Sequence, residues 1–323
     1  MQPNHELQEI RTGSGADHPQ SPTHGTATGG ASRNVLDYTE DDFKTIDRMN
    51  IGAAFFHGAQ FVVMLILSLT VESFKAFKLP IRTNYLVAVP FLPPNVTMAM
   101  WRANQSLSGG REYLDTASSD VGTVEFGPMV SCFFLLSCLA HVIVQLPGVR
   151  KNYYHAGLNR GQNYFRWIEY AFSSSLMIWL IAMLFGIYDI ATLVLITICN
   201  ASMNLCGLLM EQVNEVRNPE ADINWFPFWL GSLLGAGPWI AIFQYLGVSR
   251  SNNAEVPNFV WGILFGYIIM FNTFPVNMIV QYMRKIDYLK GERIYIILSF
   301  VAKCLLCWLV FGGAQQPNEY RGN

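Results

Sequence analysis

One lysine lies in the middle of the most apolar stretch of the chain. Lys303 is the only formal charge between Ile294 and Gly313, and about 20 apolar residues are enough to cross the hydrocarbon core of a bilayer. An ammonium group at that depth is costly and marks a candidate functional site. Burial favours the neutral amine, the form that attacks an aldehyde to give a Schiff base. Such a lysine can also pair with a carboxylate or line an ion pathway.

A single carboxylate accompanies this lysine. Apart from Arg293 at the boundary of the seventh segment, Glu169 is the only other formal charge in the apolar segments delimited below, and opposite charges in hydrocarbon are expected to pair. The pair has two interpretations. It can be a structural ion pair that joins two helices, or Lys303 can carry a protonated Schiff base with Glu169 as its counterion. A nearby carboxylate favours the charged form of such a base.

Two histidines and a glutamine add polar groups within the apolar segments. His57 and His141 are each about two helical turns from the same side of the membrane, at a depth similar to that of Glu169. Gln60 is one turn beyond His57 on the same helix face. This convergence predicts a buried polar cluster that can accept a proton. The alternative for each histidine is a packing role at a helix interface.

The elements that must position these groups are membrane helices. Apolar residues make up 51% of the chain and charged residues 14%, and the apolar residues are clustered, which indicates a polytopic membrane protein. We therefore expect an all-α membrane protein built as a bundle of seven transmembrane helices. The predicted spans are Ile51–Val71, Gly127–Gly148, Trp167–Tyr188, Ile190–Met210, Trp225–Val248, Val256–Gln281 and Arg293–Gly313.

Three regions follow from these spans. Residues 1–48 form a polar tail, residues 49–315 the seven-helix domain, and residues 316–323 a short second tail. Residues 1–34 are rich in Gly, Ser, Thr and Pro and contain almost no bulky apolar side chains, so we expect them to be disordered. A long loop separates the first two spans. Its apolar run Tyr85–Leu92 is too short to span a membrane and predicts a strand of a β-hairpin.

The distribution of basic residues predicts the orientation. Loops on the N-terminal side carry more lysine and arginine than those on the opposite side, where the basic residues are concentrated in the long loop. The positive-inside rule then places the N-terminus in the cytoplasm and the C-terminus on the extracellular or lumenal side. Two N-glycosylation sequons, at Asn95 and Asn104, lie in the long loop, on the side assigned to the exterior.

Composition argues against several other classes. The net charge of −2 gives no reason to expect nucleic-acid binding. All six cysteines fall inside apolar spans, so they form no secreted disulfide framework, and Cys304 and Cys307 are expected to be packing residues. A seven-helix zinc hydrolase needs about three clustered ligands. Because the spans contain only two histidines, we expect no enzyme and no metal.

Several motifs together resemble one family, the heliorhodopsins, which are retinal proteins distantly related to microbial rhodopsins. The resemblance extends from about Ile51 to Gly313. The distinctive runs are Leu298–Lys303 followed by Trp308, Arg166–Tyr170 followed by Ser173–Met177, Asn200–Met203, Pro238–Trp239 and Phe271–Phe274. The cytoplasmic N-terminus of that family, an inverted topology among rhodopsins, agrees with the distribution of basic residues.

The resemblance implies a cofactor and a set of site residues. It implies all-trans retinal bound as a covalent Schiff base to Lys303, with Glu169 as counterion. It links His57 and His141 to the proton-accepting region. The pocket neighbours that it implies are Ser174, Met177, Asn200, Trp239 and Thr273, the last at a position where relatives carry serine. It further implies a homodimer in membrane lipid, with the hairpin of the first extracellular loop at the interface.

The resulting functional expectation is a light-sensing photoreceptor. Light isomerises all-trans retinal to 13-cis, the proton moves toward the cytoplasmic cluster, and an unknown cytoplasmic partner receives the signal without ion pumping. The third span has one carboxylate, where outward proton pumps typically have a second as proton donor. The alternative is a light-gated proton or cation channel. That alternative needs a polar path beyond Lys303, where the seventh span offers only Cys304 and Cys307.

Overall fold

Seven helices dominate the computed structural model, which describes Leu36 and residues 38–108, 112–214, 222–252 and 257–315. Within these residues, seven helices are long and apolar enough to cross a membrane, as predicted. They are α1 (Glu40–Thr70), α2 (Phe126–Gln145), α3 (Tyr164–Leu184), α4 (Ile190–Val213), α5 (Phe226–Ser251), α6 (Asn258–Tyr282) and α7 (Tyr288–Ala314). The predicted disorder of residues 1–34 and the tail at 316–323 lie outside the described residues.

Helix α1 begins earlier than the apolar pattern indicates. Its first residue is Glu40, whereas the predicted span starts at Ile51. Thr39 caps the helix, because its side chain accepts from the backbone of Asp42 while the Asp42 side chain accepts from the backbone of Thr39. Phe43 and Ile46 are buried within this polar segment. The polar segment before the span is therefore continuous with the first membrane helix.

The long loop between α1 and α2 folds into the predicted hairpin. Strand β1 (Lys78–Pro90) pairs antiparallel with β2 (Glu112–Glu125), with an irregularity after Ile81. The backbone N–H of Arg82 donates to the carbonyl of Tyr188 at 2.8 Å, which attaches the hairpin to the α3–α4 turn. The remaining described elements are short: helices Glu72–Lys75, Met98–Ala103, Pro147–Val149 and Ala156–Leu158, the 3₁₀ turn Gln105–Ser108 and the π-helical turn Arg150–His155.

Neighbouring helices pack in an order that leaves space between them for a site. Helix α1 packs on α2, α2 on α3, α3 on α4, and α4 on α5, while α6 packs on α7 and α7 returns to α1. The largest core cluster consists mostly of buried apolar side chains from α2, α3, α6 and α7, with smaller contributions from α1, α4 and α5. Helices α3, α4 and α7 also extend beyond the predicted spans, which brings Arg166, Glu211 and Glu292 inside helices.

Candidate functional site

The charged pair in the membrane lies at the contact between α3 and α7. Lys303 Nζ is 3.2 Å from Glu169 Oε1, and the two side chains are only 3% and 9% exposed. Lys303 Nζ also donates to Ser299 Oγ at 2.7 Å. Ser299 is four residues earlier on α7, so the two side chains share one helix face. The ammonium group is thus held by one carboxylate and one hydroxyl.

A third helix contributes to the carboxylate. The hydroxyl of Ser137 in α2 donates to Glu169 Oε1 at 2.5 Å. A hydrogen bond to an ionised group is worth roughly 1.5–3 kcal/mol, so this contact helps to hold Glu169 in its charged form and in one orientation. Sequence reasoning missed both Ser137 and Ser299, because serine within a membrane helix usually has a packing role.

A cavity of about 330 Å³ opens beside Lys303. This volume is within the range of small-molecule sites, and the wall is mostly apolar and aromatic, as such sites usually are. The aromatic wall residues are Trp167, Tyr170, Phe228, Trp239, Phe271 and Phe274. Together with one buried amine, this lining suits a flat, apolar, conjugated aldehyde that can react with Lys303.

One glycine lets the wall close around the cavity. A Cβ atom at Gly207 in α4 would lie 2.2 Å from the ring of Trp167, a distance that no real side chain tolerates. Only glycine at this position allows the indole of α3 to pack against α4. Since Trp167 lines the cavity, the close approach of these two helices shapes the candidate site.

The polar part of the wall is a small hydrogen-bond network between α3 and α4. The amides of Asn200 and Asn204 donate to Ser174 Oγ at 2.7 and 3.0 Å. Ser174 in turn donates to the carbonyl of Tyr170 at 2.6 Å. The hydroxyl of Ser174 is therefore fully engaged, and it presents a neutral, ordered dipole to the cavity.

The residues named from the sequence differ in their relation to this cavity. Lys303, Ser174, Met177 and Trp239 line it, and so does Asn204, which sequence reasoning missed. Asn200 is not among the lining residues and reaches the wall through Ser174. Thr273 does not line the cavity either. Its hydroxyl donates to the carbonyl of Met270 at 2.5 Å, so its hydrogen bond stays within its own helix.

The two histidines stack on each other between α1 and α2. Their ring centroids are 5.6 Å apart with an interplanar angle of 10°. His57 is completely buried, and neither of its ring nitrogens has a hydrogen-bond partner among the described residues. The charges of Glu169 and Lys303 both act on His141. Gln60 lies one turn from His57, and its buried Oε1 also has no partner in the described part of the chain.

A chain of hydrogen bonds leads away from the histidines toward the end of α2. His141 Nδ1 is 2.7 Å from Asn50 Oδ1, and Asn50 Nδ2 donates to the hydroxyl of Tyr154 at 2.9 Å. Burial raises the pKa of the Tyr154 phenol, which therefore remains protonated and acts as a neutral partner. Among the described residues, no three His, Cys, Asp or Glu side chains gather as metal ligands would.

The fold and site define a class: a seven-helix membrane protein with a buried lysine–carboxylate pair at an apolar cavity. A family model described as Heliorhodopsin matches residues 46–315, and the chain belongs to this family. Membership places it among the retinal photoreceptors. No curated protein matches the chain. The crystal structure of a light-driven proton pump, LR (Mac), from Leptosphaeria maculans aligns with 82% of this chain and 96% of its own, at 15% identity and a TM-score of 0.45.

Proposed function

We propose that this protein is a light sensor that holds all-trans retinal as a protonated Schiff base on Lys303 and pumps no ions. The observation that carries the proposal is the buried pair of Lys303 and Glu169, 3.2 Å apart, at the end of an apolar cavity. When bound, retinal supplies absorption of visible light and an isomerisation from all-trans to 13-cis.

The side chains around Lys303 have separate tasks. Glu169 supplies the negative charge that keeps the nitrogen of Lys303 protonated, and Ser137 fixes the orientation of that carboxylate. The aromatic wall of the cavity excludes water, which strengthens the electrostatic attraction between the charges. Ser174 offers a fixed dipole within the wall. Neither Asn200 nor Thr273 lines the cavity, so we assign Asn200 to positioning Ser174 and Thr273 to the support of α6.

The proton of Lys303 is proposed to move toward Glu169, His57 and His141 and to return from there. A neutral imidazole beside a carboxylate is a competent proton acceptor. On the opposite side of Lys303, α7 continues with Cys304 and Cys307 and carries no carboxylate before its end at Ala314. The alternative function is a light-gated proton or cation channel, which would need a polar path through that apolar half.

Three further proposals concern the protein in its surroundings. The N-terminus is cytoplasmic, and a cytoplasmic partner receives the signal. The protein forms a homodimer in the lipid bilayer through its hairpin. The hairpin carries apolar side chains that suit an interface, since Leu86 and Leu114 are 65% and 69% exposed.

The test of the cofactor assignment is the colour of the membrane-expressed protein after addition of all-trans retinal. The wild-type protein should acquire a visible absorption band, and Lys303→Ala should abolish it, because no other predicted span holds a lysine. Cys304→Ala, one residue further along α7, is the matched control and should retain the band. Visible absorbance that persists in Lys303→Ala would refute the assignment.

A further inference from the structure

A second group of buried charges lies near the ends of α3, α4 and α7. Arg166, Glu211 and Glu292 have side chains that are 6%, 2% and 1% exposed. One guanidinium nitrogen, Arg166 Nη2, contacts Oε1 of Glu211 and also lies 3.0 Å from Oε1 of Glu292. Two carboxylate oxygens therefore converge on a single guanidinium nitrogen.

The surroundings of these groups add hydrogen bonds. Asn163 donates to both carboxylates, through its backbone N–H to Glu211 Oε2 at 2.8 Å and through its amide to Glu292 Oε2 at 2.7 Å. Tyr288 donates to Glu211 Oε1 at 3.3 Å.

Aromatic side chains enclose the same groups. The guanidinium lies 4.3 Å from the ring centre of Trp167 and 3.9 Å from that of Tyr295. Tyr282 of α6, Tyr154 of the π-helical turn and Tyr170 of α3 are further titratable groups near the site.

The charges in this site do not balance. In the described part of the chain, Arg166 is the one cation that contacts either carboxylate, so two ionised glutamates would leave one negative charge uncompensated. Such a charge away from water is strongly disfavoured, and two carboxylates that share a site do not both ionise readily. In addition, Glu292 Oε1 is buried, and although it lies 3.0 Å from Arg166 Nη2, no donor among the described residues meets it in hydrogen-bonding geometry. A proton on one of the two carboxyl groups would remove both problems.

We propose that Glu211 and Glu292 share one proton above Arg166, which makes this cluster a proton-binding site separate from the one at Lys303. The proton lies between the two Oε1 atoms and satisfies the oxygen of Glu292 that lacks a donor. The site then contains one cation, one carboxylate and one neutral acid. It holds this proton whether or not a ligand occupies the cavity, so the proposal does not depend on the retinal assignment.

An aromatic layer separates the two buried sites. The Tyr170 hydroxyl donates to the backbone carbonyl of Tyr295 at 3.0 Å, which joins α3 to α7 within this layer. Lys303 Nζ lies 5.6 Å from the Tyr170 ring on one side, and Arg166 lies against Tyr295 on the other. Since α3 and α7 each contribute to both sites, a shift of α7 relative to α3 would change the distance between Arg166 and Glu292. A shift that brings Arg166 closer to Glu292 would favour release of the shared proton, and a shift that separates them would favour its retention.

Infrared spectroscopy of the full-length protein in lipid vesicles tests this proposal. At neutral pH, with or without retinal, the wild-type protein should show the C=O stretch of a protonated carboxylic acid that shifts in D₂O. The band should be lost in Glu211→Gln and equally in Glu292→Gln, because one remaining carboxylate is neutralised by Arg166. Glu72→Gln, at an exposed carboxylate, and Glu169→Gln should both leave it in place.

Three results would overturn the proposal. One is the absence of the band from the wild-type protein, and another is its survival in either glutamine variant, which would locate the proton on an independent acid. The third is evidence that a sodium ion, and not a proton, compensates the second carboxylate. The band would then appear only when sodium is replaced by a bulky organic cation. Should a glutamine variant fail to fold, Tyr288→Phe removes only the hydroxyl donated to Glu211, and it should shift the band without abolishing it.

Discussion

At the scale of single residues, the environment of Glu169 determines how the charge on Lys303 is balanced. The carboxylate contacts Lys303 and accepts a hydrogen bond from Ser137, and its side chain is 9% exposed. In this buried setting a single unit of charge has a large effect on its neighbours. The colour of a pigment bound to Lys303 should report this charge directly.

Glu169→Gln should therefore red-shift the visible band of the retinal-loaded protein. Loss of the negative partner lets the positive charge spread along the polyene, which moves the band to longer wavelength. It also destabilises the protonated nitrogen of Lys303, so that, as the pH rises, the variant should lose its visible band at a lower pH than the wild-type protein. Absorption spectra recorded during a pH titration measure both effects. Glu72→Gln, at an exposed position, should change neither. An unchanged spectrum and titration in Glu169→Gln would mean that the counterion lies elsewhere.

Some contacts of the site follow from residue types, and others do not. The approach of Lys303 and Glu169 is predictable, since both are isolated charges in apolar segments and carry opposite signs. The role of Ser137 is not, because a serine in a membrane helix can equally donate to a backbone carbonyl of its own helix. Thr273 does this, and its hydroxyl is bonded to the carbonyl of Met270. Side-chain rotation decides between these outcomes, and no sequence pattern records it.

At the scale of elements, the number of helices was predictable and their ends were not. Seven apolar segments correspond to the seven helices, but a hydropathy pattern stops where charges begin. Arg166, Glu211 and Glu292 fall just outside the predicted spans, yet they are buried within α3, α4 and α7. Their burial depends on the contacts of Arg166 with both glutamates, a tertiary effect that is invisible in each segment alone. The hairpin was predictable from the apolar run Tyr85–Leu92, although its first strand extends from Lys78 to Pro90.

The contact between α3 and α4 at Gly207 gives a prediction about packing. Gly207→Ala should destabilise the protein by roughly 1–3 kcal/mol, the usual cost of overpacking, because the new Cβ would lie 2.2 Å from the Trp167 ring. Gly52→Ala in α1 is the matched control. No atom lies within 4 Å of its added Cβ, so it should be neutral or slightly stabilising. Thermal unfolding in detergent measures both, and equal melting temperatures would contradict the packing argument.

At the scale of the whole molecule, the orientation in the membrane determines which compartment each site faces. The proposed proton-accepting cluster and the Arg166 site both lie toward the end where α1, α3 and α7 begin. The distribution of basic residues assigns this end to the cytoplasm. The hairpin lies at the opposite end, which the same rule assigns to the exterior.

An epitope tag at the N-terminus should accordingly be accessible to antibody only after permeabilisation of the cells. A tag at the C-terminus should be accessible without permeabilisation, because an odd number of spans puts the termini on opposite sides. Immunofluorescence on intact and permeabilised cells measures both, and each tagged protein serves as the control for the other. The reverse pattern would overturn the proposed orientation.

The direction of proton movement connects the site to the function of the whole protein. In the proposed orientation, His57, His141 and Glu169 lie on the cytoplasmic side of Lys303, so the proton that leaves Lys303 Nζ in the light should move to this cluster and return from it. Replacement of both histidines should slow this transfer or change its yield, seen by flash absorption spectroscopy, and leave the dark spectrum intact. His57 makes no hydrogen bond among the described residues, so its replacement by a side chain of similar volume leaves no hydrogen-bond partner unsatisfied. His155→Gln is the control, since His155 pairs with Asp47 at 2.9 Å and lies outside the membrane helices.

Electrical recording decides whether that proton crosses the membrane. Beyond Lys303, the buried residues of α7 are Leu306, Cys307, Val310, Gly313 and Ala314, and this half of the helix carries no carboxylate. An apolar barrier of this kind strongly disfavours passage of a charge. Patch-clamp recording of the illuminated wild-type protein under an applied voltage should therefore show no sustained current. Lys303→Ala, which should form no pigment, is the control for currents that do not depend on light absorption. Sustained photocurrent in the wild-type protein alone would show that the proton does cross, and the channel function would then replace the sensor.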